Sequence, residues 1–162
     1  TIFDQLKNKV EARFISVGRL DMDSEGLILL TNDGDLARKL ELPATGWLRK
    51  YRVRVHGYVI PKDLEPLKNG IIIDGIKYGR IDATLDRQQG SNAWLTLSFR
   101  EGKNREVRKV MNHLGYNVNR LIRVSFGPFN LKDLPSGELQ EIKNRVLNDQ
   151  LGLSKPKKLR QK

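Results

Sequence analysis

The sequence predicts an α+β fold, and three observations carry that reading. Short β-rich runs come in groups at residues 51–55, 71–85 and 95–99. One stretch, residues 105–114, carries a clear helical stripe between such groups. The turns within the groups are short and use Asp and Gly, which favours antiparallel hairpins over regular βαβ units. The expected architecture is a central, largely antiparallel mixed β-sheet flanked by short helices.

Taken in order, residues 1–10 read as a helix with Ile2, Leu6 and Val10 on one side. The chain opens at Thr1 rather than at a methionine, so the natural N-terminus is expected upstream. After Gly26 the run Leu27-Ile28-Leu29-Leu30-Thr31 is continuous and apolar, as in a strand buried on both faces. Asn32 and Asp33 then offer caps to a helix of about two turns bearing Leu36, Ala37 and Leu40. That helix must stop before Pro43, whose ring excludes helical geometry for the residue ahead of it.

Tyr51, Val53 and Val55 alternate with Arg52 and Arg54, giving a strand with one apolar and one cationic face. Pro61 opens a short helix carrying Leu64 and Leu67. Three β-rich runs follow at residues 71–73, 76–78 and 81–85, punctuated by Asp74-Gly75 and Gly79, and Leu95, Leu97 and Phe99 mark another. In the helix at residues 105–114, Val107, Val110, Met111 and Leu114 form the stripe and Gly115 supplies a left-handed cap. A strand is expected at residues 121–126, another at 137–142, and a weak helix around Val146 and Leu147. Residues 154–162 form a basic tail expected to be mobile. No fixed-period repeat or Pro/Gly/Ser-rich linker divides the chain, so one domain over residues 1–150 and a tail at 151–162 are expected.

The 162 residues suffice for one domain with its own core, and 38% hydrophobic with 30% charged residues is a globular composition. Thirty Lys and Arg against nineteen Asp and Glu leave a net charge of +11, which points to a polyanionic partner or to a generally solvated basic surface. The absence of cysteine excludes a disulfide framework, a thiol nucleophile and thiolate zinc sites, and two histidines, His56 and His113, supply metal chemistry poorly. No apolar run approaches the roughly 20 residues that span a bilayer, and no signal peptide is expected ahead of the fold. A cytoplasmic protein without membrane or metal is expected, and no coiled-coil heptad argues against a monomer.

The densest polar cluster is Gly18-Arg19-Leu20-Asp21-Met22-Asp23-Ser24-Glu25-Gly26. Asp21, Asp23, Glu25 and Gly26 match the opening of a calcium loop, but Asn32 stands where the bidentate carboxylate belongs and strand-like residues occupy the loop's second half. A glycosidase would need two carboxylates about 5 Å or more apart, and nothing selects Asp21 and Asp23 for that. By itself the segment reads equally as a turn rich in hydrogen-bonding side chains.

Further segments narrow the choice. The string from Gly18 through Asn32-Asp33-Gly34-Asp35-Leu36, then Lys50-Tyr51-Arg52-Val53, Glu101-Gly102-Lys103-Asn104-Arg105-Glu106-Val107-Arg108-Lys109 and Asn119-Arg120-Leu121-Ile122-Arg123, occur in the order of one family. Together they resemble the RsuA-type pseudouridine synthases, closest in detail to the branch acting on large-subunit ribosomal RNA. The resemblance runs from Thr1 to about Ile142. It implies the pseudouridine synthase fold with an active-site cleft across the sheet, ribosomal RNA as partner, and a reaction without cofactor or metal: the bond from uracil N1 to ribose C1′ is cleaved, the base turns, and C5 is joined to C1′.

By the same resemblance Asp21 is the catalytic carboxylate, acting at the sugar as nucleophile or base. Arg108 is its cationic partner, expected to reach Asp21 in a bidentate pair. Tyr51 stacks on the target base and accepts or relays the C5 proton, with Leu121 beneath its ring. Arg19 helps occupy the space the flipped base leaves. Arg13, Arg49, Arg52, Arg54, Lys103, Arg105, Arg120 and Arg123 are candidate phosphate ligands. Relatives usually carry an S4-type RNA-binding domain and a first strand ending in Lys-Pro-x-Gly, neither of which stands ahead of Thr1, so weakened RNA affinity is expected. The rival from another class is a non-enzymatic RNA-binding or ribosome-assembly module, which has no need for Asp21, Tyr51 and Arg108 together.

Overall fold

The computed structural model describes residues 14–42, 46–103, 105–142, 145 and 147, and the chain divides into two compact units, residues 1–131 and 132–162. The helix expected over residues 1–10, the stop at Pro43, the boundary near residue 150 and the tail beyond it lie outside the described residues.

The first unit is built around strand β4 (Arg49–His56), which pairs antiparallel with β8 (Asn92–Phe99) on one side and β9 (Asn117–Phe126) on the other. The sheet continues through β7 (Asp82–Gln89) beyond β8 and β10 (Phe129–Asn130) beyond β9. Alternation does what the sequence predicts. Val53 and Val55 of β4, with Ala93, Leu95 and Leu97 of β8, are fully buried on one face. The guanidinium groups of Arg52 and Arg54 stand over the Trp94 ring at 5.1 and 5.8 Å.

Helix α2 (Glu106–His113) contributes Val107, Val110 and Met111 to the same core, and the 3₁₀ helix Pro61–Asn69 contributes Leu64 and Leu67. The tighter 3₁₀ winding suits Pro66, which lacks the N–H an α-helix would use there. Hairpin β5 (Ile71–Ile73) and β6 (Ile76–Tyr78) turns at Asp74-Gly75, both at positive φ, as the sequence suggests. Helix α1 (Gly34–Glu41) is capped by Asp33, whose carboxylate accepts from the N–H groups of Asp35 and Leu36, and it buries Ala37 and Leu40.

Three expectations are corrected. The strand expected over residues 27–31 is only β3 (Leu29–Thr31), antiparallel to β1 (Ile15–Val17), and a separate short strand, β2 (Glu25–Gly26), runs parallel to β9 ahead of it. The break follows from Gly26, whose φ of 115° turns the chain, and Leu29 to Thr31 are half-buried, not buried on both faces. Residues 137–142 form no strand; the chain turns at 136–137, with Gly137 at φ 80°. The strand that closes this edge is β10, where Phe129 is buried and packs edge-on against Trp47 at 5.8 Å.

In the second unit the chain turns at residues 132–133 and 136–137, and Arg145 and Leu147 are helical, as expected near Val146. Among the described residues no helix is long and apolar enough to cross a membrane.

Candidate active site

Residues 18–24 run between β1 and β2, and the segment through Gly26 is tied down at its start, middle and end. Its start is held by the Gly18 N–H donating to the Glu41 carboxylate at the end of α1 (2.8 Å). Its middle is a turn in which the Ser24 N–H donates to the Asp21 carbonyl (2.9 Å). At the end, Gly26 lies so close to β9 that a Cβ there would strike the Arg123 backbone, and the Leu27 N–H donates to the Arg123 carbonyl (2.8 Å). Only glycine combines that approach with positive φ.

The loop forms one wall of a cleft of about 1550 Å³. Asp21 faces it from the loop, Tyr51 from β4, Leu121 and Arg123 from β9, and Lys103 and Arg105 from the segment entering α2. Arg19 also lines it, exposed to solvent. The cleft therefore gathers residues more than 80 positions apart, such as Asp21 and Arg105, whose Nη1 is 3.9 Å from Asp21 Oδ2.

That contact corrects the expected pairing. Arg108 meets Asp23, not Asp21: its Nε lies 3.4 Å from Asp23 Oδ2 and its Nη2 donates to the Asp23 carbonyl at 2.8 Å. Arg105 brackets the same carboxylate, with both terminal nitrogens donating at 3.3 Å. The physical reason is the turn, which aims successive side chains apart and hands Asp23 to α2. Arg105 adopts a left-handed backbone conformation (φ 52°) just ahead of α2, a costly geometry for a non-glycine residue. The Arg105 hydrogen bond holds Asp23 below the usual carboxylate range. Likewise Arg120 forks onto Glu25 with two bonds of 3.0 Å and lowers its pKa, so the acidic cluster is met by guanidinium groups rather than left open as a cation cradle.

Tyr51 stacks on Phe99 with ring centroids 5.3 Å apart and planes 8° from parallel. Leu121 is buried and pairs in register with Val53, on the face of the sheet that carries Tyr51. Lys103 donates to the Lys77 carbonyl (2.7 Å) and pairs with Glu101 (3.1 Å). Several of the expected phosphate ligands have partners within the fold. Arg123 is 2% exposed, donates Nε–H to the Leu27 carbonyl (3.0 Å) and lies over Phe126, while Arg120 lies outside the cleft lining. Arg49 lines the cleft and donates to the Arg100 and Trp47 carbonyls. Arg13 and Asn104 are outside the described residues.

Sequence reasoning missed Asp23 as the anchor of both arginines, and it missed Glu106. This residue is 3% exposed in the cleft lining, with neither oxygen in a hydrogen bond of ordinary geometry. Burial first, and then the Glu101 carboxylate, push it up to about 7. Its position beside Val107 on the helical stripe was the available signal.

A family model described as RNA pseudouridylate synthase matches residues 1–113. An uncharacterized RNA pseudouridine synthase of Rickettsia prowazekii is 44% identical over 154 residues, 93% of this chain and 63% of that protein. The ribosomal large subunit pseudouridine synthase B of Pseudomonas aeruginosa is 41% identical over 159 residues, 94% of this chain and 41% of that protein. A solved pseudouridylate synthase superposes with a TM-score of 0.77 at 26% identity, over 93% of this chain and 65% of that one. The chain thus spans less than two thirds of the length of these relatives. With a model match over well beyond half the chain and relatives above 40% identity, the chain belongs to the RNA pseudouridylate synthase family.

Proposed function

We propose that this chain isomerises a uridine of ribosomal RNA, in the large subunit, to pseudouridine, with Asp21 as its catalytic carboxylate. The observation that carries the reading is the placement of Asp21. It is a partly exposed carboxylate (side chain 35% exposed) on a pinned turn, 3.9 Å from Arg105, in a cleft whose other lining includes the Tyr51 ring. The likeness to the ribosomal large subunit pseudouridine synthase B of Pseudomonas aeruginosa supports the large ribosomal subunit as the substrate class. The working form is taken to be a cytoplasmic monomer.

The cleft admits one nucleoside out of its stack, at a cost of a few kcal/mol that a loop or bulge minimises. Asp21 then acts at the ribose and the N1–C1′ bond breaks with its electron pair staying on the uracil: as nucleophile Asp21 bonds to C1′ and is displaced when C5 attacks there, and as base it takes the C2′ proton and returns it to C2′ when C5 bonds to C1′. The base turns so that C5 bonds to C1′. The C5 proton leaves, with Tyr51 to accept or relay it, and N1 is protonated, so product and substrate have the same composition. Arg105 and Arg108 orient the turn that presents Asp21, Arg19 helps occupy the space the extruded base leaves, and Lys103 supplies positive charge at the cleft for phosphates.

The test uses ribosomal RNA transcripts tritiated at uridine C5, since bonding at C5 must expel that hydrogen. The purified protein is expected to release tritium and Asp21→Asn to lose at least about 10³-fold in turnover while RNA affinity stays within about twofold. Undiminished release by Asp21→Asn would overturn the assignment. RNA binding with no release by either protein would favour the non-enzymatic module.

A further inference from the structure

Met22 is the first central residue of the Asp21–Ser24 turn and is fully exposed, at 104% of its reference area, beyond every other large apolar side chain among the described residues. Turn tips ordinarily carry Asp, Asn, Ser, Gly or Pro, so an unbranched apolar chain is out of place there on local grounds. Nor is it exposed because the loop is loose. On one side Asp21 closes the turn through its carbonyl, and on the other Asp23 is gripped by Arg105 and Arg108. Asp21 lines the cleft and Met22, one residue along the same turn, stands outside that lining in solvent.

We propose that Met22 is an apolar wedge that packs against the base flanking the extruded uridine. When a nucleotide leaves the stack, the faces of its neighbours lose their apolar cover, and proteins that distort nucleic acids commonly insert Met, Leu, Ile or Phe at such steps. Its ligand is the face of a nucleobase in structured RNA, without readout of base edges. A flexible thioether chain fits irregular apolar surfaces of this kind. The wedge complements Arg19, a charged group on the cleft wall, by supplying the contact that a guanidinium surrounded by water supplies poorly.

The inference rests on the pseudouridine synthase reading of the cleft, and the test separates the two. Wild type, Met22→Ser and Met22→Leu are compared on a stem-loop substrate and on a short unpaired oligonucleotide with the same target sequence, by tritium release from C5. In parallel, 2-aminopurine beside the target uridine reports unstacking. Met22→Ser is expected to lose roughly tenfold in kcat/KM on the stem-loop and to show a smaller 2-aminopurine signal. On the unpaired oligonucleotide the same variant should match wild type, and Met22→Leu should recover the stem-loop rate. Because the side chain touches nothing in the fold, the thermal midpoint should not move. Equal rates of Met22→Ser and wild type on the stem-loop, or equal losses on both RNAs, would overturn the wedge while leaving the reaction standing. No release by wild type from either RNA would overturn the underlying reading, and the wedge with it.

Discussion

Glu106 is a carboxylic acid placed where water does not reach, and its titration should be visible in the stability of the fold. Burial and the Glu101 carboxylate raise its pKa from 4.5 to about 7. A raised acid binds its proton more tightly in the folded state, so its contribution is fully present below about pH 4.5 and is lost as pH rises through about 7. Glu106→Gln is therefore expected to melt near wild type at pH 5 and several degrees higher at pH 8, by thermal scans across that range. A constant difference between the two proteins would contradict it. At this scale the convergence of Asp21, Tyr51 and Leu121 on one cleft, though not the role of each, was legible, because motif residues on a strand or turn keep their place along the chain. The partner of Arg108 was not. Whether its guanidinium meets Asp21 or Asp23 depends on a turn of four residues and a helix 85 positions away, and spacing along the chain does not encode that choice.

At the scale of elements the segment of residues 18–26 behaves as a beam fixed at both ends, by α1 through Gly18 and by β9 through Gly26 and Leu27. Gly26→Ala forces a Cβ into the Arg123 backbone at positive φ. A cost on the order of 1–3 kcal/mol is expected. Displacement of Asp21 should lower turnover by about 10²-fold, because small misplacements of a reacting group are costly. Circular dichroism melts and tritium release check the two effects, and an unaffected rate would show that β2 does not position Asp21. The long strands β4, β8 and β9, the hairpin β5–β6 and helix α2 were readable because each carries its own period or turn signal. Strands of two or three residues, β1, β2 and β10, were not, since their pairing is set by partners remote in sequence. The run after Gly26 misled for the same reason: apolar content marked Leu27 as buried, but the glycine's turn, not the apolar pattern, divides the strand.

For the molecule as a whole, a net charge of +11 predicts RNA binding that weakens steeply with salt. Several basic groups are already committed within the fold, Arg120 to Glu25, Arg105 and Arg108 to Asp23, and Arg123 to Leu27, so fewer phosphates are contacted than the composition suggests. Lys103→Ala is expected to flatten the log–log salt slope by about 0.7 to 0.9, the effect of one phosphate contact. An unchanged slope in filter binding from low to moderate salt would remove Lys103 from the interface. The central claim is that Asp21, in this cleft, converts a uridine of ribosomal RNA. It is tested most directly by mapping pseudouridines on ribosomal RNA, with carbodiimide and primer extension, in cells lacking the gene and in cells complemented by wild type or Asp21→Asn. Loss of one or a few large-subunit sites, restored by wild type and not by Asp21→Asn, is the predicted result; restoration of those sites by Asp21→Asn, or persistence of every site without the gene, would contradict it.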